Sequence, residues 1–348
     1  MEVSVKISQL AFVGFGNVGQ GLVRLLNDRG DALEKRHGVE FRVCAVCDNI
    51  LGSVYRPQGW TAEELLLAAA QGDLASLPAE KTGWSAETMI EKSGADTLVE
   101  VSYTDLKTAE PALGYIQQAL EIGMHVVTTN KGPIALAYSE ISELARSHGV
   151  EIGVEGTVMS GTPVLALGRQ LLDSAGIQKV QGILNGTTNY ILTEMEKGIS
   201  YKDALAQAQQ LGYAEADPSG DVEGYDAAAK VVILANLLMG AALTMKDVER
   251  GGISEITLED IKQAQAADQR WKLIGTVEDN PAGVKASVKP VRLPMAHPLA
   301  SVGGATNGVT FSTELLGDVT ITGPGAGRTE TGYALLNDLL RIHGKISG

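Results

Sequence analysis

The sequence predicts a two-part α/β protein, with a doubly wound parallel unit first and an α+β unit second. Three observations predict it. Short apolar runs alternate with helical patterns as far as residue 156, which implies right-handed βαβ units. A glycine turn stands between the first such run and the first helical pattern. After about residue 160 the alternation stops, and longer strand-like stretches take over. A chain of 348 residues also exceeds one ordinary core, so more than one compact unit is expected.

The elements follow in order. LAFVGF (10–15) reads as a strand and GQGLVRLLNDRG as a helix closed by Gly30. FRVCAVCD (41–48) is the second strand. TAEELLLAAAQGDL is helical, with Thr61 as N-cap and Glu64 completing a capping box. ADTLVEVS (95–102) is a strand, AEPALGYIQQALEIG a helix ending at Gly123, and MHVVTTN (124–130) a strand. SELARSHG is a helix and VEIGVEG (150–156) a strand.

In the second half VQGILNGTTNYI (180–191) reads as strand and loop, and YKDALAQAQQLG as an amphipathic helix ending at Gly212. A polar loop, YAEADPSGDVEG, leads into an apolar helix over Ala227–Leu243. LEDIKQAQAADQRWKLIGTV is helix running into strand, and VKASVKPVRLP and GVTFSTELLGDVTITG are antiparallel strands. A glycine turn and a helix close the chain, and that helix is expected to return to the first domain. The expected domains are 1–154, completed by 323–348, and 155–322.

The formal charge is −14, which argues against nucleic acid or an anionic membrane surface as partner. Cys44 and Cys47 are the only cysteines. Their C-x-x-C spacing falls in a strand, where cysteine acts as a small hydrophobe, and no second pair completes a zinc site. A reducing cytoplasm fits. The N-terminus lacks a basic segment and a cleavage motif, so no secretory leader is expected. The apolar run at 227–243 carries Lys230 and Asn236, so a core helix is expected rather than a membrane span.

The turn Gly14-Phe-Gly16-Asn17-Val18-Gly19 follows a strand and opens a helix, the context a dinucleotide fingerprint requires. Gly14 permits the turn, Gly16 lets backbone approach a pyrophosphate, and Gly19 allows close helix–strand packing. The helix N-terminus offers N–H groups and a positive dipole end. Asp48 closes the second strand and is placed to accept from a ribose 2′-hydroxyl, favouring NAD; Arg56 is the alternative, meeting a 2′-phosphate.

The second signal is Lys230. Lysine is almost never fully buried without a partner, yet AAA and VVILA flank it. Asp226 lies one turn earlier on the same face. A surface ion pair or a buried structural pair would account for it, as would a lysine at a pocket wall that hydrogen-bonds a substrate oxygen and moves its proton. Glu215, Asp217 and Asp221 crowd the preceding loop and suit a ligand with an ammonium group.

GYAEADPSGDVEGYDAAAK (212–230) resembles the signature of homoserine dehydrogenase. The resemblance extends to ILNGTTNYI (183–191), TTNKGP (128–133), EGTVMSGTPVL (155–165), GFGNVG, HPLASVGGATNGV and GPGAGRTETGYALL, and so covers essentially the whole chain. It implies a Rossmann domain, a dimerisation region and an α+β catalytic domain. It implies interconversion of L-homoserine and L-aspartate 4-semialdehyde with NAD or NADP, in threonine, methionine and isoleucine biosynthesis, by a cytoplasmic homodimer. The chain resembles a short form without the regulatory C-terminal domain or a fused kinase, so control through those modules is not expected.

Residue by residue, the resemblance makes Lys230 the proton-transfer group and Glu215 and Asp226 homoserine-binding carboxylates, with Asp221 in the same loop. Lys131 matches a second lysine near the reacting centre, Ser102 a cofactor-contacting position, and Gly212 and Gly325 residues lining the cofactor site. Glu155, Val158, Ser160 and Thr162 resemble a backbone site for a monovalent cation, Na+ or K+. The nicotinamide is expected against the substrate in a cleft between the domains. In reduction Lys230 would protonate the aldehyde oxygen, and in oxidation neutral Lys230 would take the hydroxyl proton, so oxidation should improve as pH rises.

Rival readings are an aldehyde dehydrogenase with a thiol nucleophile, which needs an activated cysteine, and a non-catalytic dinucleotide sensor, which has no need of Glu215, Asp226 and Lys230. His37, His125, His148, His297 and His343 all read as structural or solvent-facing. NGTTNY (185–190) is expected to order the substrate carboxylate through Thr187 or Thr188.

Overall fold

A computed structural model describes residues 5–347, and it divides into two units, Met1–Thr157 with Gly327–Gly348, and Val158–Ala326. The expectation about a secretory leader rests partly on residues 1–4, outside the described residues.

The first unit is a seven-stranded sheet in the order β4-β3-β2-β1-β5-β6-β7. β1 (Lys6–Val13), β2 (Val39–Asp48), β5 (Thr97–Glu100), β6 (His125–Thr128) and β7 (Ile152–Gly153) run parallel. β3 (Gly52–Tyr55) and β4 (Lys81–Thr82) turn back antiparallel at the edge, two short strands the sequence reading did not include. The helices are α1 (Asn17–His37), α2 (Ala62–Gln71), α3 (Ala86–Lys92), α4 (Ala112–Glu121), α5 (Lys131–Ser147) and the C-terminal α12 (Arg328–Ser347). The strand order reverses beside β1, between β2 and β5, and such a switch point opens a crevice at the carboxyl ends of the strands. Leu10, Phe12, Phe15, Leu22, Val46 and Leu335 form its buried core, with α12 packed against α1.

Several boundaries differ from the sequence reading. Gly30 does not end α1. The helix continues to His37 and stops at Gly38, whose φ of 64° is left-handed. A single internal glycine costs a helix about 1 kcal/mol, which the buried Leu33 one turn on helps to offset. Thr61 and Glu64 form the expected capping box. α5 starts at Lys131, well before SELARSHG, because Asn130 caps it by accepting from the Gly132 N–H.

The second unit is a six-stranded sheet in the order β13-β12-β8-β10-β11-β9. β8 (Ile177–Ile183), β10 (Gln269–Glu278), β11 (Lys285–Pro294), β12 (Thr306–Thr313) and β13 (Gly317–Pro324) pair antiparallel, while β9 (Val248–Arg250) joins β11 in parallel. Its helices are α6 (Val164–Ala166), α7 (Gly186–Glu196), α8 (Tyr201–Gln210), α9 (Ser219–Val222), α10 (Tyr225–Leu238) and α11 (Leu258–Ala266). NGTTNY is thus the start of α7 and not a loop: Asn185 caps it through the Thr188 N–H, and Ile191, Leu192 and Met195 bury its inner face. α10 lies directly on the sheet, since a Cβ on Gly275 of β10 would come 2.6 Å from Val231. No helix of the described residues is long and apolar enough to cross a membrane.

Candidate active site

The glycine turn is built at the switch point of the first unit. Gly14 has φ +88°, and a Cβ there would lie 2.5 Å from the Val101 carbonyl oxygen, so both conformation and the neighbouring strand demand glycine. Gly19 packs tightly, 3.3 Å from the Gly14 carbonyl and 3.4 Å from Phe12 by the same measure. Gly16 differs. Its φ of −76° suits any residue, and a Cβ there would meet nothing within 4 Å. Nothing in the chain's own packing requires glycine at 16, but a ligand lying on that backbone does. α1 starts next with Asn17 and Val18, carries no side-chain cap and has no acidic residue in its first turn, so its N–H groups are open to an anion. The residues therefore fit a dinucleotide pyrophosphate.

Asp48 closes the second strand and fixes this turn. Its carboxylate accepts from the Phe15 N–H at 2.8 Å and from the Ile50 and Leu51 N–H groups at 2.9 Å. A carboxylate has about four lone-pair sites, so one remains for a hydroxyl.

Across the switch point, Glu100 ends β5 with its side chain fully buried. Burial pushes its pKa up, opposed by hydrogen bonds from Ser102 and Thr128. It accepts from the Ser102 N–H at 2.9 Å, from the Ser102 hydroxyl, and from the Thr128 hydroxyl at 3.0 Å. Thr128 in turn accepts from the Asn130 N–H at 2.9 Å. One carboxylate thus ties the strand end that carries Ser102 to the strand end that precedes Lys131. Lys131 is the first residue of α5, a place where a cation opposes the helix dipole.

The second unit contains the lysine cluster. Lys230 is only 7% exposed. Its ammonium donates to Asp226 Oδ2 and to the Leu184 carbonyl, both at 2.7 Å. The Asn185 side-chain amide donates to Asp221 Oδ1 at 2.6 Å and to Asp226 Oδ2 at 3.0 Å. Burial, then the nearby Asp226 charge, raises the Asp221 pKa, while Asn185 and Lys230 oppose the rise. The end of β8, the start of α7, α9 and the first turn of α10 therefore bring Asn185, Asp221, Asp226 and Lys230 together. Glu215 is exposed, on a loop tied back where the Thr187 hydroxyl donates to the Tyr213 carbonyl at 2.7 Å. Gly212 opens that loop with φ +75°. The Thr188 hydroxyl donates to Asn185, so the hydroxyl protons of Thr187 and Thr188 are both used within the unit.

A family model described as homoserine dehydrogenase matches residues 163–340, and one described as homoserine dehydrogenase, NAD binding domain, matches residues 14–155. The chain belongs to the homoserine dehydrogenase family. A protein named NAD(+)-dependent homoserine dehydrogenase, from Pseudomonas canavaninivorans, is 48% identical over 337 residues, 96% of each chain. The homoserine dehydrogenase of Methanocaldococcus jannaschii is 39% identical, over 96% of this chain and 98% of its own. Among solved structures, a homoserine dehydrogenase from Thiobacillus denitrificans superposes with a TM-score of 0.87 at 31% identity, covering 99% of this chain and 75% of that one. A hyperthermophilic archaeal homoserine dehydrogenase mutant in complex with NADPH gives 0.83 at 31%, covering 98% of both. The chain is accordingly an NAD(P)-dependent oxidoreductase acting on homoserine, in amino-acid biosynthesis.

Thiol chemistry has no support in this member of the homoserine dehydrogenase family. Burial pushes the Cys44 pKa up to about 12 and also raises that of Cys47, the reverse of an activated thiolate. His125 and His297 each use a ring nitrogen to accept from a backbone N–H, and His148 and His343 each pair one with a backbone carbonyl. Of the residues expected to hold a cation, Glu155 falls in the first unit and Val158, Ser160 and Thr162 in the second. Met159 and Ser160 take left-handed φ of 57° and 53° there. Gly325 packs over the buried Asn307, a steric reason for glycine independent of any cofactor.

Four polar residues escaped the sequence reading as individuals: Asn185, Glu100, Asn189 and Lys272. Asn185 had a usable signal, an N-cap residue ahead of an apolar 3–4 spacing. Glu100 in TLVEV and Lys272 in RWKLIG had another, a lone charge inside a strand.

Proposed function

We propose that Lys230 carries the proton of homoserine oxidation and aldehyde reduction, and that Asp226 orients it. The supporting observation is an ammonium at 7% exposure held by a carboxylate and a backbone carbonyl, both at 2.7 Å. The bound dinucleotide supplies or accepts the hydride. In reduction Lys230 donates a proton to the aldehyde oxygen, and its charge stabilises the alkoxide as it forms. In oxidation the neutral amine takes the hydroxyl proton, so that direction improves as pH rises. Glu215, Asp221 and Asp226 hold the substrate ammonium, and α7 presents its N-terminal N–H groups to the substrate carboxylate. Lys131, Ser102, Gly212 and Gly325 contact cofactor or substrate, and the carbonyls of Glu155, Val158, Ser160 and Thr162 hold a monovalent cation.

The cofactor is NAD in preference to NADP. An Asp48 carboxylate that accepts from a ribose 2′-hydroxyl repels a 2′-phosphate, and the turn from Asp48 to Gly52 carries no cation. The Arg56 N–H bonds the Cys44 carbonyl, four residues down β2 from Asp48 and so about 13 Å along the strand. The working form is a cytoplasmic homodimer. The exposed edge strand β13 is a ready template for pairing with a second copy.

The test is a kinetic comparison of Lys230→Ala with the unaltered enzyme, using homoserine and each dinucleotide. A loss of at least a hundredfold in kcat with dinucleotide binding intact supports the assignment, by the usual scale of general acid–base catalysis. Near-normal turnover with an unchanged pH profile rejects it.

A further inference from the structure

We propose that Arg328, from the C-terminal helix, clamps the pyrophosphate of the dinucleotide. The NAD-binding match ends at residue 155, yet the first unit is completed by α12. α12 begins at Arg328, against α1, and Gly21 of α1 leaves room only for the Arg328 backbone carbonyl. That contact sets the first turn of α12 beside the first turn of α1. The exposed Arg328 guanidinium donates to the Asn17 side-chain oxygen, at the residue that opens α1 and follows the bare backbone of Gly16.

The placement is electrostatically unfavourable in the chain alone. A cation at a helix N-terminus opposes the dipole, and here it stands at two such ends, α12 and α1. An anion between the guanidinium and the α1 N–H groups attracts both, and those two attractions outweigh the repulsion. A pyrophosphate lying over Gly16 supplies that charge, and the planar fork of arginine suits two phosphate oxygens at once. Asn17 holds the side chain over the turn in readiness. Arg328 is therefore a cofactor-binding residue for the same nicotinamide-dependent reaction, and its assignment is independent of the role of Lys230.

The experiment measures binding of ADP-ribose, which keeps the pyrophosphate and lacks the nicotinamide, to the intact chain and to Arg328→Gln and Arg328→Met. Both variants alter an exposed side chain, and their melting temperatures without ligand check folding. The expected result is about a tenfold rise in Kd for ADP-ribose, the size of one charge-assisted hydrogen bond, and a matching rise in KM for NAD. The KM for homoserine at saturating NAD stays unchanged. Unaltered ADP-ribose affinity in folded variants overturns the proposal, as does a rise in homoserine KM alone. Neither outcome bears on the proton-transfer assignment, which rests on Lys230→Ala.

Discussion

Lys230 and Asp226 stand one helical turn apart on α10, with ammonium and carboxylate 2.7 Å from each other. A carboxylate that close favours the charged lysine, so its removal makes the amine easier to deprotonate. Asp226→Asn is therefore expected to move the acid limb of the homoserine-oxidation pH profile to lower pH. It is also expected to lower kcat by roughly a hundredfold, because the amine loses its orienting partner. Initial rates from pH 6 to 10 check this, and an unmoved limb counts against the pairing as a functional one.

Asn185 is the neutral donor between two acids. Its amide reaches Asp221 and Asp226, while its oxygen caps α7. Asn185→Asp keeps the cap and places a third carboxylate against the other two. Burial already raises the Asp221 pKa, so the native state holds that proton more tightly than the unfolded chain does. Stability from this group therefore falls as pH rises through the interval above the ordinary aspartate value. The added charge deepens that fall, by about 3 kcal/mol at neutral pH, the scale of an uncompensated buried charge. The melting-temperature gap between Asn185→Asp and the unaltered chain is expected to widen from pH 4.5 to pH 7.

Two glycines of one turn are expected to behave oppositely. Gly14→Ala meets a left-handed φ and the Val101 carbonyl, so it destabilises by about 2 kcal/mol or more. Gly16→Ala meets nothing, so stability stays within about 0.5 kcal/mol while NAD affinity drops at least tenfold. Denaturant titration and NAD titration of both variants separate the two effects.

Lys272 has no accessible surface, and its ammonium donates to the Asn189 side-chain oxygen at 3.0 Å and to the Val302 carbonyl at 2.7 Å. Burial pulls its pKa down to about 8, well below the ordinary lysine value of about 10.4. Between those values the unfolded chain holds the proton and the folded one does not. The cost of the buried charge is thus fully present below pH 8 and relieved as pH rises, by up to about 3 kcal/mol. Lys272→Met is expected to lose that upward slope. Denaturant midpoints at pH 7 and pH 9.5 for the two chains show whether it does.

The architecture was legible because it rests on period and punctuation. Alternating strand and helix, Gly14–Gly19 and the acid-lysine pair at 226 and 230 are all local patterns. What stayed hidden depends on distant partners. β3 exists through pairing with β2, and β4 through pairing with β3, and short edge strands carry little periodicity of their own. Gly30 looked like a helix end because a glycine reads alike inside and beyond a helix until its φ is known. The link from Asn185 to Asp221 spans 36 residues, and that from Lys272 to Asn189 spans 83, so no window of sequence displays either. NGTTNY reads as a polar loop until one sees the apolar face of α7 that follows it.

The first unit takes its last helix from the far end of the chain, after the whole of the second unit. On the ribosome, residues 5–157 emerge early but must wait for α12 before Leu335 and Leu339 can fill their core. The second unit is free to fold in the meantime, since its stretch is continuous. The nucleotide-binding half is thus the last to mature during translation, and a nascent chain released early lacks the piece that seals it.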